Sequence, residues 1–163
     1  MEITTELVKE LREKTGVSVM QCKKALEETG GDIDKATALL LEKSADIASK
    51  KSDRTLGAGV VSTYVHSTGN VGVMLELLCE TDFVAKNEEF KALARDIAMH
   101  VTATNPAYLK PEEVKEGDEG EALLSQPFIK NPEVTIQNLL ESATQKFGEK
   151  IELSRFVRYS VTQ

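Results

Sequence analysis

The first third of the chain carries apolar residues at the spacing of amphipathic helices. Leu7 and Leu11 lie one turn apart and predict a first helix over residues 4–14. Ser18 opens a capping-box pattern, which predicts a second helix over residues 19–29. The apolar face of that second helix consists of Cys22, Ala25 and Leu26.

Two glycines and an acid separate the second helix from a third. Gly30-Gly31 is typical of a left-handed helix end, and Asp32 can cap the helix that follows. The inner face of this third helix consists of Ile33, Ala36 and Leu40. The Ser- and Lys-rich stretch 43–54 indicates a weakly helical linker, so we predict a three-helix domain over residues 1–52.

Beyond residue 53 the hydrophobic period changes to that of strands. Residues 59–66 and 71–79 predict two strands, and the turn-rich stretch 67–70 between them is typical of a hairpin. Apolar residues at 3.6 spacing then predict a helix over residues 88–103, which Asn105-Pro106 ends.

Residues 111–121 are acidic and poor in apolar side chains, which indicates a loop. A second core-facing helix is predicted from Val134 to Phe147 because its apolar residues again follow the helical period. Gly148 ends that helix.

The final strand, predicted over residues 151–161, departs from strict alternation. Ile151 and Leu153 share a face that Phe156 does not share, and a β-bulge explains the difference. The order of hairpin, helix, helix and strand predicts an α+β domain over residues 53–163, with a small antiparallel sheet packed by helices.

Composition limits the classes of protein to which the chain can belong. Its 163 residues carry a formal charge of -7 and include no Trp, so aliphatic side chains must fill the core. An acidic chain without a basic stripe is a poor ligand for nucleic acid, because phosphate neutralisation dominates such binding. Neither a signal peptide nor an apolar run of membrane length is present, which predicts a cytoplasmic protein without membrane contact.

The residue types that usually carry chemistry are scattered. His66 and His100 have no partner at metal-ligand spacing, and Cys22 and Cys79 stand alone in apolar patterns, as buried reduced thiols do. Gly57-Ala58-Gly59 precedes a strand and lacks the third glycine of a dinucleotide fingerprint. We predict no active site, cofactor or metal ion, and a small enzyme with an unrecognised site is an alternative.

The most informative stretch joins the second strand to the helix after it. Residues 79–87 read Cys-Glu-Thr-Asp-Phe-Val-Ala-Lys-Asn and place Asp82 beside Phe83 at a strand-to-helix turn. Such turns lie at the surface and often carry function. A plainer interpretation makes Asp82 a helix cap and Phe83 a core residue.

This stretch resembles the signature of the elongation factor Ts family. Three further matches complete the family's order: Thr15-Gly16 with Met20-Gln21-Cys22-Lys23-Lys24-Ala25-Leu26, then Gln126-Pro127-Phe128, and Phe147-Gly148-Glu149-Lys150-Ile151 with Arg155-Phe156. Val17, Ser18 and Val19 depart from the family's usual Ala-Gly-Met.

The resemblance implies a guanine-nucleotide exchange factor that binds elongation factor Tu carrying GDP and disturbs its Mg²⁺ and phosphate site. It also implies a ubiquitin-associated-like fold for the N-terminal bundle. The wedge segment that displaces the partner's Mg²⁺ would consist of Asp82, Phe83, Val84 and Ala85. The docking patch for elongation factor Tu would consist of Arg12, Val17, Val19 and Met20. The residues alone also allow Val19 or Met20 to lie in the bundle core.

The resemblance bears on size and assembly as well. Only residues 107–125 fill the gap in which the family commonly has a longer helical insertion, so we expect no long coiled-coil arm. Longer members duplicate the sheet-and-helix half that occurs once here, which implies a homodimer. The alternative function is a ubiquitin-associated-like binding module joined to an unrelated α+β interaction domain.

Overall fold

The computed structural model of the chain describes residues 2–161. The chain divides into two compact units. The first unit is Met1–Asp53 with Asn138–Lys150, and the second unit is Arg54–Gln137 with Ile151–Gln163. The division into domains 1–52 and 53–163 stays a prediction, to which the structure adds that Asn138–Lys150 groups with the N-terminal residues.

The elements follow the predicted alternation of helices and strands. In chain order they are α1 Thr5–Thr15, α2 Val19–Glu28, α3 Ile33–Lys50, β1 Ala58–Val65, β2 Val71–Cys79, α4 Asp82–Ala85, α5 Glu88–Thr104, β3 Pro127–Phe128, β4 Asn131–Thr135, α6 Ile136–Phe147 and β5 Glu152–Ser160. Short 3-10 helices occupy Pro111–Glu113 and Leu123–Ser125. The predicted α+β class is confirmed.

A polar side chain begins each helix of the N-terminal bundle. Thr4, Ser18 and Asp32 each accept a hydrogen bond from the backbone N–H three residues further on. These bonds satisfy donors that have no partner within the helix. The predicted caps at Ser18 and Asp32 are confirmed.

The bundle buries one aliphatic core. Its buried side chains are Val8, Leu11, Val17, Cys22, Ala25, Leu26, Ala36 and Leu40. Helix α3 runs further than predicted, through Lys50, so most of the expected linker 43–54 is regular helix. Ser44 lies in this added part and is fully buried, and its hydroxyl finds a partner there by donating to the side chain of Gln145. A partner distant in sequence thus stabilises turns that local composition leaves weak.

The second unit is organised by a three-stranded antiparallel sheet with the order β1-β2-β5. Helix α5 packs against β1 and β2. The buried side chains at this contact include Val73, Leu75, Leu77, Phe90, Ala94, Ile97 and Val101. Alternation along β2 puts its odd-numbered residues into this core and leaves Met74 on the other face.

The predicted bulge is present in β5. Glu76 pairs with Arg155 and Leu77 pairs with Leu153, so Ser154 is the extra residue. Phe156 then lies opposite the buried Leu75. The extra residue therefore brings two apolar positions of opposite parity to the inner face.

A two-stranded ribbon, β3 with β4, was not predicted. Val134 was expected to begin the second core helix, but it lies in β4 with a buried side chain, and α6 begins at Ile136. The sequence prediction was wrong at Val134. This residue is two positions before Ile136, and a spacing of two residues is the period of a strand. The backbone N–H of Ile136 donates to the carbonyl of Gln126, which ties the start of the helix to the ribbon.

A buried histidine of α5, His100, hydrogen-bonds to the residues on either side of β3. Nδ1 of His100 accepts the backbone N–H of Ile129 at 3.2 Å, so Nε2 carries the proton and donates to Oε1 of Gln126 at 2.9 Å. The hydroxyl of Thr104 donates to the same oxygen. Burial lowers the pKa of His100 below its ordinary value, since a charged ring would be desolvated.

We expect the free energy of unfolding to decrease as the pH falls below about 6.5, the ordinary pKa of histidine. In the unfolded chain His100 takes up a proton that the folded chain does not bind, so its contribution is complete above that pH. The contribution is lost progressively toward the lower pKa of the folded state.

Urea unfolding between about pH 7.5 and about pH 5.5 measures this slope. His100→Gln should flatten it, whereas the matched control His66→Gln, at an exposed histidine, should not. A slope that survives in His100→Gln would contradict the assignment.

Candidate functional site

Three contacts restrain the turn after β2. Cys79 is buried at the end of the strand, and its thiol donates to the carbonyl of Thr81 at 3.3 Å. Arg54 forms an ion pair with Glu80 at 3.5 Å. The backbone at Gly57 lies so close that a Cβ there would stand 3.2 Å from the carbonyl of Glu80. These contacts fix the direction in which the chain enters α4.

Helix α4, the wedge segment, is a single turn with two opposite sides. The side chains of Val84 and Ala85 are buried, whereas Asp82 is exposed and Phe83 is 86% exposed. Successive residues of a helix point about 100° apart, so burial of one pair turns the other pair outward. The ring of Phe83 therefore lies at the surface, although the two residues that follow it are packed in the core.

The plainer interpretation of this turn is wrong. Phe83 is not a core residue, because its side chain is exposed. The aromatic residue in the core nearby is Phe90. Asp82 does not cap α5 either. Asn87 does so, with its side-chain oxygen accepting the N–H groups of Glu89 and Phe90.

The docking patch loses one member in the structure. Val17 is only 2% exposed and belongs to the bundle core, so its side chain is not available at the surface. Its N–H donates to the hydroxyl of Thr15, and its carbonyl accepts from the thiol of Cys22. This correction has a local cause: Gly16, at a φ of 69°, ends α1 and turns the next side chain inward.

The other members of the patch are at the surface. Val19 is 53% exposed, Met20 is 81% exposed, and Arg12 is exposed as well. Neither Val19 nor Met20 lies in the bundle core. Both are the first residues of α2, directly after the Ser18 cap.

The buried thiol of Cys22 lies in an environment that disfavours its charged form. Burial raises the pKa of the Cys22 thiol, and the hydrogen bond with Thr15 and the charge of Arg12 oppose that rise. Neither Cys22 nor Cys79 forms a disulfide, and both are buried, as predicted.

The remaining candidates for chemistry stay apart. Within residues 2–161, no group of three or more His, Cys, Asp or Glu side chains could hold a metal ion. His66 lies beside Tyr64 on the hairpin, and His100 belongs to the polar network described above. No helix in the described range is long and apolar enough to cross a membrane.

Sequence reasoning missed which residues line the outer face of the sheet. Five large apolar side chains are exposed there: Val61, Val65, Met74, Val157 and Tyr159. Strict alternation of β1 would have revealed some of them, because Val60 and Val61 are both apolar and must point to opposite faces. The sheet is therefore apolar on both sides.

Several exposed apolar side chains share the outer face of the sheet, and apolar patches of this kind are typical of interaction proteins. The family model described as elongation factor TS matches residues 2–118, which cover parts of both units. The chain therefore belongs to the elongation factor Ts family, and the resemblance drawn from the four motifs is confirmed. Membership places it among the translation elongation factors.

Curated relatives extend the match over the whole chain. The elongation factor Ts of Thermodesulfovibrio yellowstonii is 45% identical over 196 positions, covering 100% of this chain and 98% of the relative. The same factor from Carboxydothermus hydrogenoformans is 42% identical, covering 98% of this chain and 89% of the relative. That from Desulfotalea psychrophila is 41% identical, with 99% of each chain covered.

The relatives are longer in part of their sequence. The Thermodesulfovibrio alignment spans 196 positions against the 163 residues here, so at least 33 positions (196 − 163) have no counterpart in this chain. Residues 107–125 of the present structure hold two short 3-10 helices and no long helix. The side chains of Tyr108 and Asp118 hydrogen-bond to each other and close this segment on itself.

We expect Phe83→Ala to change the free energy of unfolding by less than about 0.5 kcal/mol, because the ring is exposed. Phe90→Ala is the matched comparison. Its ring is fully buried, so the same truncation should cost about 3–5 kcal/mol. Urea unfolding of both variants measures the contrast, and a large loss in Phe83→Ala would mean that the ring is packed.

Proposed function

We propose that this chain is a guanine-nucleotide exchange factor that binds elongation factor Tu carrying GDP and promotes the release of GDP. The physical basis is thermodynamic linkage. A protein that binds the nucleotide-free partner more tightly than the GDP-bound partner must lower the affinity for GDP by the same factor. Such a factor needs no nucleotide site of its own.

The observation that carries the proposal is the exposure of Phe83 on a fixed turn. The ring gains contacts only when a second protein covers it, because 86% of its surface faces solvent. The ion pair of Arg54 with Glu80 and the thiol bond of Cys79 hold the turn in one geometry. A preformed protrusion binds without a further entropy cost of ordering the loop.

Each residue of the wedge segment has its own task in this proposal. Val84 and Ala85 anchor the turn in the core of the second unit. Phe83 inserts between elements of the partner, and Asp82 competes for groups that organise the partner's Mg²⁺ shell. Mg²⁺ requires near-ideal octahedral ligands, so a small displacement of its surroundings weakens it without direct contact.

The docking patch supplies affinity. Met20 and Val19 present flexible and branched apolar side chains at the first turn of α2, and Arg12 is an exposed cation on α1. Methionine adapts to the shape of a partner surface. We assign the recognition of elongation factor Tu to these three residues, without Val17.

The alternatives have less support. A binding module fused to an unrelated second domain does not fit a family match that continues through residue 118. A small enzyme would need a cluster of reactive groups, and within residues 2–161 no cluster of metal-ligand type occurs. The net charge of -7 favours protein contacts over direct nucleic-acid contacts, and we place this activity in the cytoplasm, where elongation takes place.

A second copy of the chain is the occupant that we propose for the outer face of the sheet. Gly72 has no side chain, so a groove lies between Val65 and Tyr159, beside the exposed Met74. Glu76 and Arg155 form a bidentate ion pair on the same face. A two-fold axis would place this surface against itself, which buries apolar area on both copies at once.

The first test of the function is the release of fluorescent GDP from elongation factor Tu. Substoichiometric wild-type protein should accelerate release, and Phe83→Ala should be slower by about tenfold or more, since roughly 1.4 kcal/mol of lost transition-state contact gives a factor of ten. Ile129→Ala, at another exposed apolar residue of the second unit, is the control and should keep the wild-type rate. An unchanged release rate with equimolar wild-type protein would exclude the proposed function.

The second test concerns docking. Met20→Glu places a charge in the docking patch, where its desolvation without a partner weakens the complex. We expect a higher concentration for half-maximal exchange with an unchanged circular dichroism spectrum. Thr5→Glu adds the same charge elsewhere on the bundle surface and should leave the concentration unchanged. Wild-type affinity of Met20→Glu would remove Met20 from the interface.

The third test concerns self-association. Met74→Lys puts a charge at the centre of the outer sheet face and should give a monomer in sedimentation velocity experiments. Ser67→Lys adds the same charge at an exposed residue of the hairpin turn that does not line the groove, and it should sediment like the wild type. A monomeric wild type, or a Met74→Lys variant that still dimerises, would contradict the homodimer.

A further inference from the structure

Helix α6 contributes one side chain that bridges two helices of the bundle. Nε2 of Gln145 donates to Oε1 of Gln21 at 2.8 Å. Oε1 of Gln145 accepts the hydroxyl of Ser44 at 2.5 Å. Gln21 belongs to α2 and Ser44 to α3, so one amide group joins three helices. All of these residues lie in the first unit.

The bridge ends on the turn that carries the docking patch. Val19, Met20 and Gln21 are the first three residues of α2. The backbone N–H of Gln21 donates to the Ser18 hydroxyl, and its side chain is held by Gln145. The first turn of a helix lacks intrahelical partners for its N–H groups and frays easily. Here it is fixed through both the main chain and a side chain.

We propose that Gln145 is a positioning residue for the docking patch: through Gln21 it immobilises the first turn of α2, so that Met20 meets its partner in a fixed orientation. The proposal rests on the proposed function for its biological meaning and on the hydrogen bonds for its physical content. Association costs the entropy of every side chain and turn that must be ordered at the interface. A turn that is already ordered avoids that cost.

The two hydrogen bonds differ in what they do. Ser44 is fully buried, so its hydroxyl needs an acceptor, and Gln145 supplies one. Gln21 is exposed, and water could satisfy its amide if Gln145 were absent. The bond to Ser44 therefore fixes the side chain of Gln145, and the bond to Gln21 then restrains the first turn of α2.

The experiment compares four variants of the full chain with the wild type. Gln145→Ala removes both bonds, and Gln21→Ala removes only the bond to the docking turn. Gln145→Glu is the conservative rescue, because its carboxylate accepts from Ser44 and also from the Gln21 amide once that amide turns over. Lys146→Ala is the control, since this exposed neighbour on α6 takes no part in the bridge.

Two readouts are taken on each variant. Hydrogen exchange reports the protection of the Gln21 and Cys22 amides at the start of α2. GDP release from elongation factor Tu reports the concentration of protein for half-maximal exchange and the rate at saturation. We expect Gln145→Ala and Gln21→Ala to lose protection and to raise the half-maximal concentration roughly three- to tenfold at an unchanged saturating rate. Gln145→Glu and Lys146→Ala should match the wild type.

Other outcomes decide against the proposal. Unchanged protection and half-maximal concentration in Gln145→Ala would overturn it, and so would a lower melting temperature with unchanged docking, which marks a structural role only. If Gln145→Ala fails to fold, Gln21→Ala and Gln145→Glu decide by the same criteria. If the wild-type protein does not accelerate GDP release from elongation factor Tu, the proposed function fails. The amide protection at the start of α2 still decides whether Gln145 orders that turn.

Discussion

The packing of α5 on the inner face of the three-stranded sheet is the contact on which the wedge segment depends. Phe90 and Ile97 are fully buried there against Leu75 and Leu77, and each large apolar side chain contributes roughly 1.5–3 kcal/mol. Only residues 80–87 connect β2 to α5, so both ends of that connection are fixed by the core. A single helical turn fills the connection, and its buried side determines its exposed side. Phe83 faces solvent because Val84 and Ala85 occupy the buried side of that turn.

In the first unit, too, residues that are distant in sequence hold part of the structure in place. The core of the bundle is formed by α1, α2 and α3, whereas Ser44 in the second half of α3 and Gln21 at the start of α2 both hydrogen-bond to Gln145 of α6. The residues that a partner would meet are thus supported by a segment more than a hundred positions further along the chain. The first turn of α2 is held in this way while Met20 stays exposed.

Local pattern predicted most of the elements and failed where two periods coincide. The bounds of β2, the caps at Ser18 and Asp32 and the bulge in β5 follow from alternation and capping chemistry, and the structure confirms them. Val134 was assigned to the helix that follows it, although its spacing of two residues to Ile136 fits a strand, and the pairing of β4 with β3 decides for the strand. Neither strand is long enough to have a period of its own.

The sequence by itself determined the α+β class, the family and the positions of the motifs, because helix and strand periods and signature residues are local properties. Only the tertiary structure decided that Val17 turns into the core while Met20 stays outside, and that Phe83 is offered to solvent. It alone brought Gln145 to Gln21. Exposure and hydrogen-bond partners depend on which distant residues cover a side chain, and the spacing of apolar residues along the chain carries no information about that.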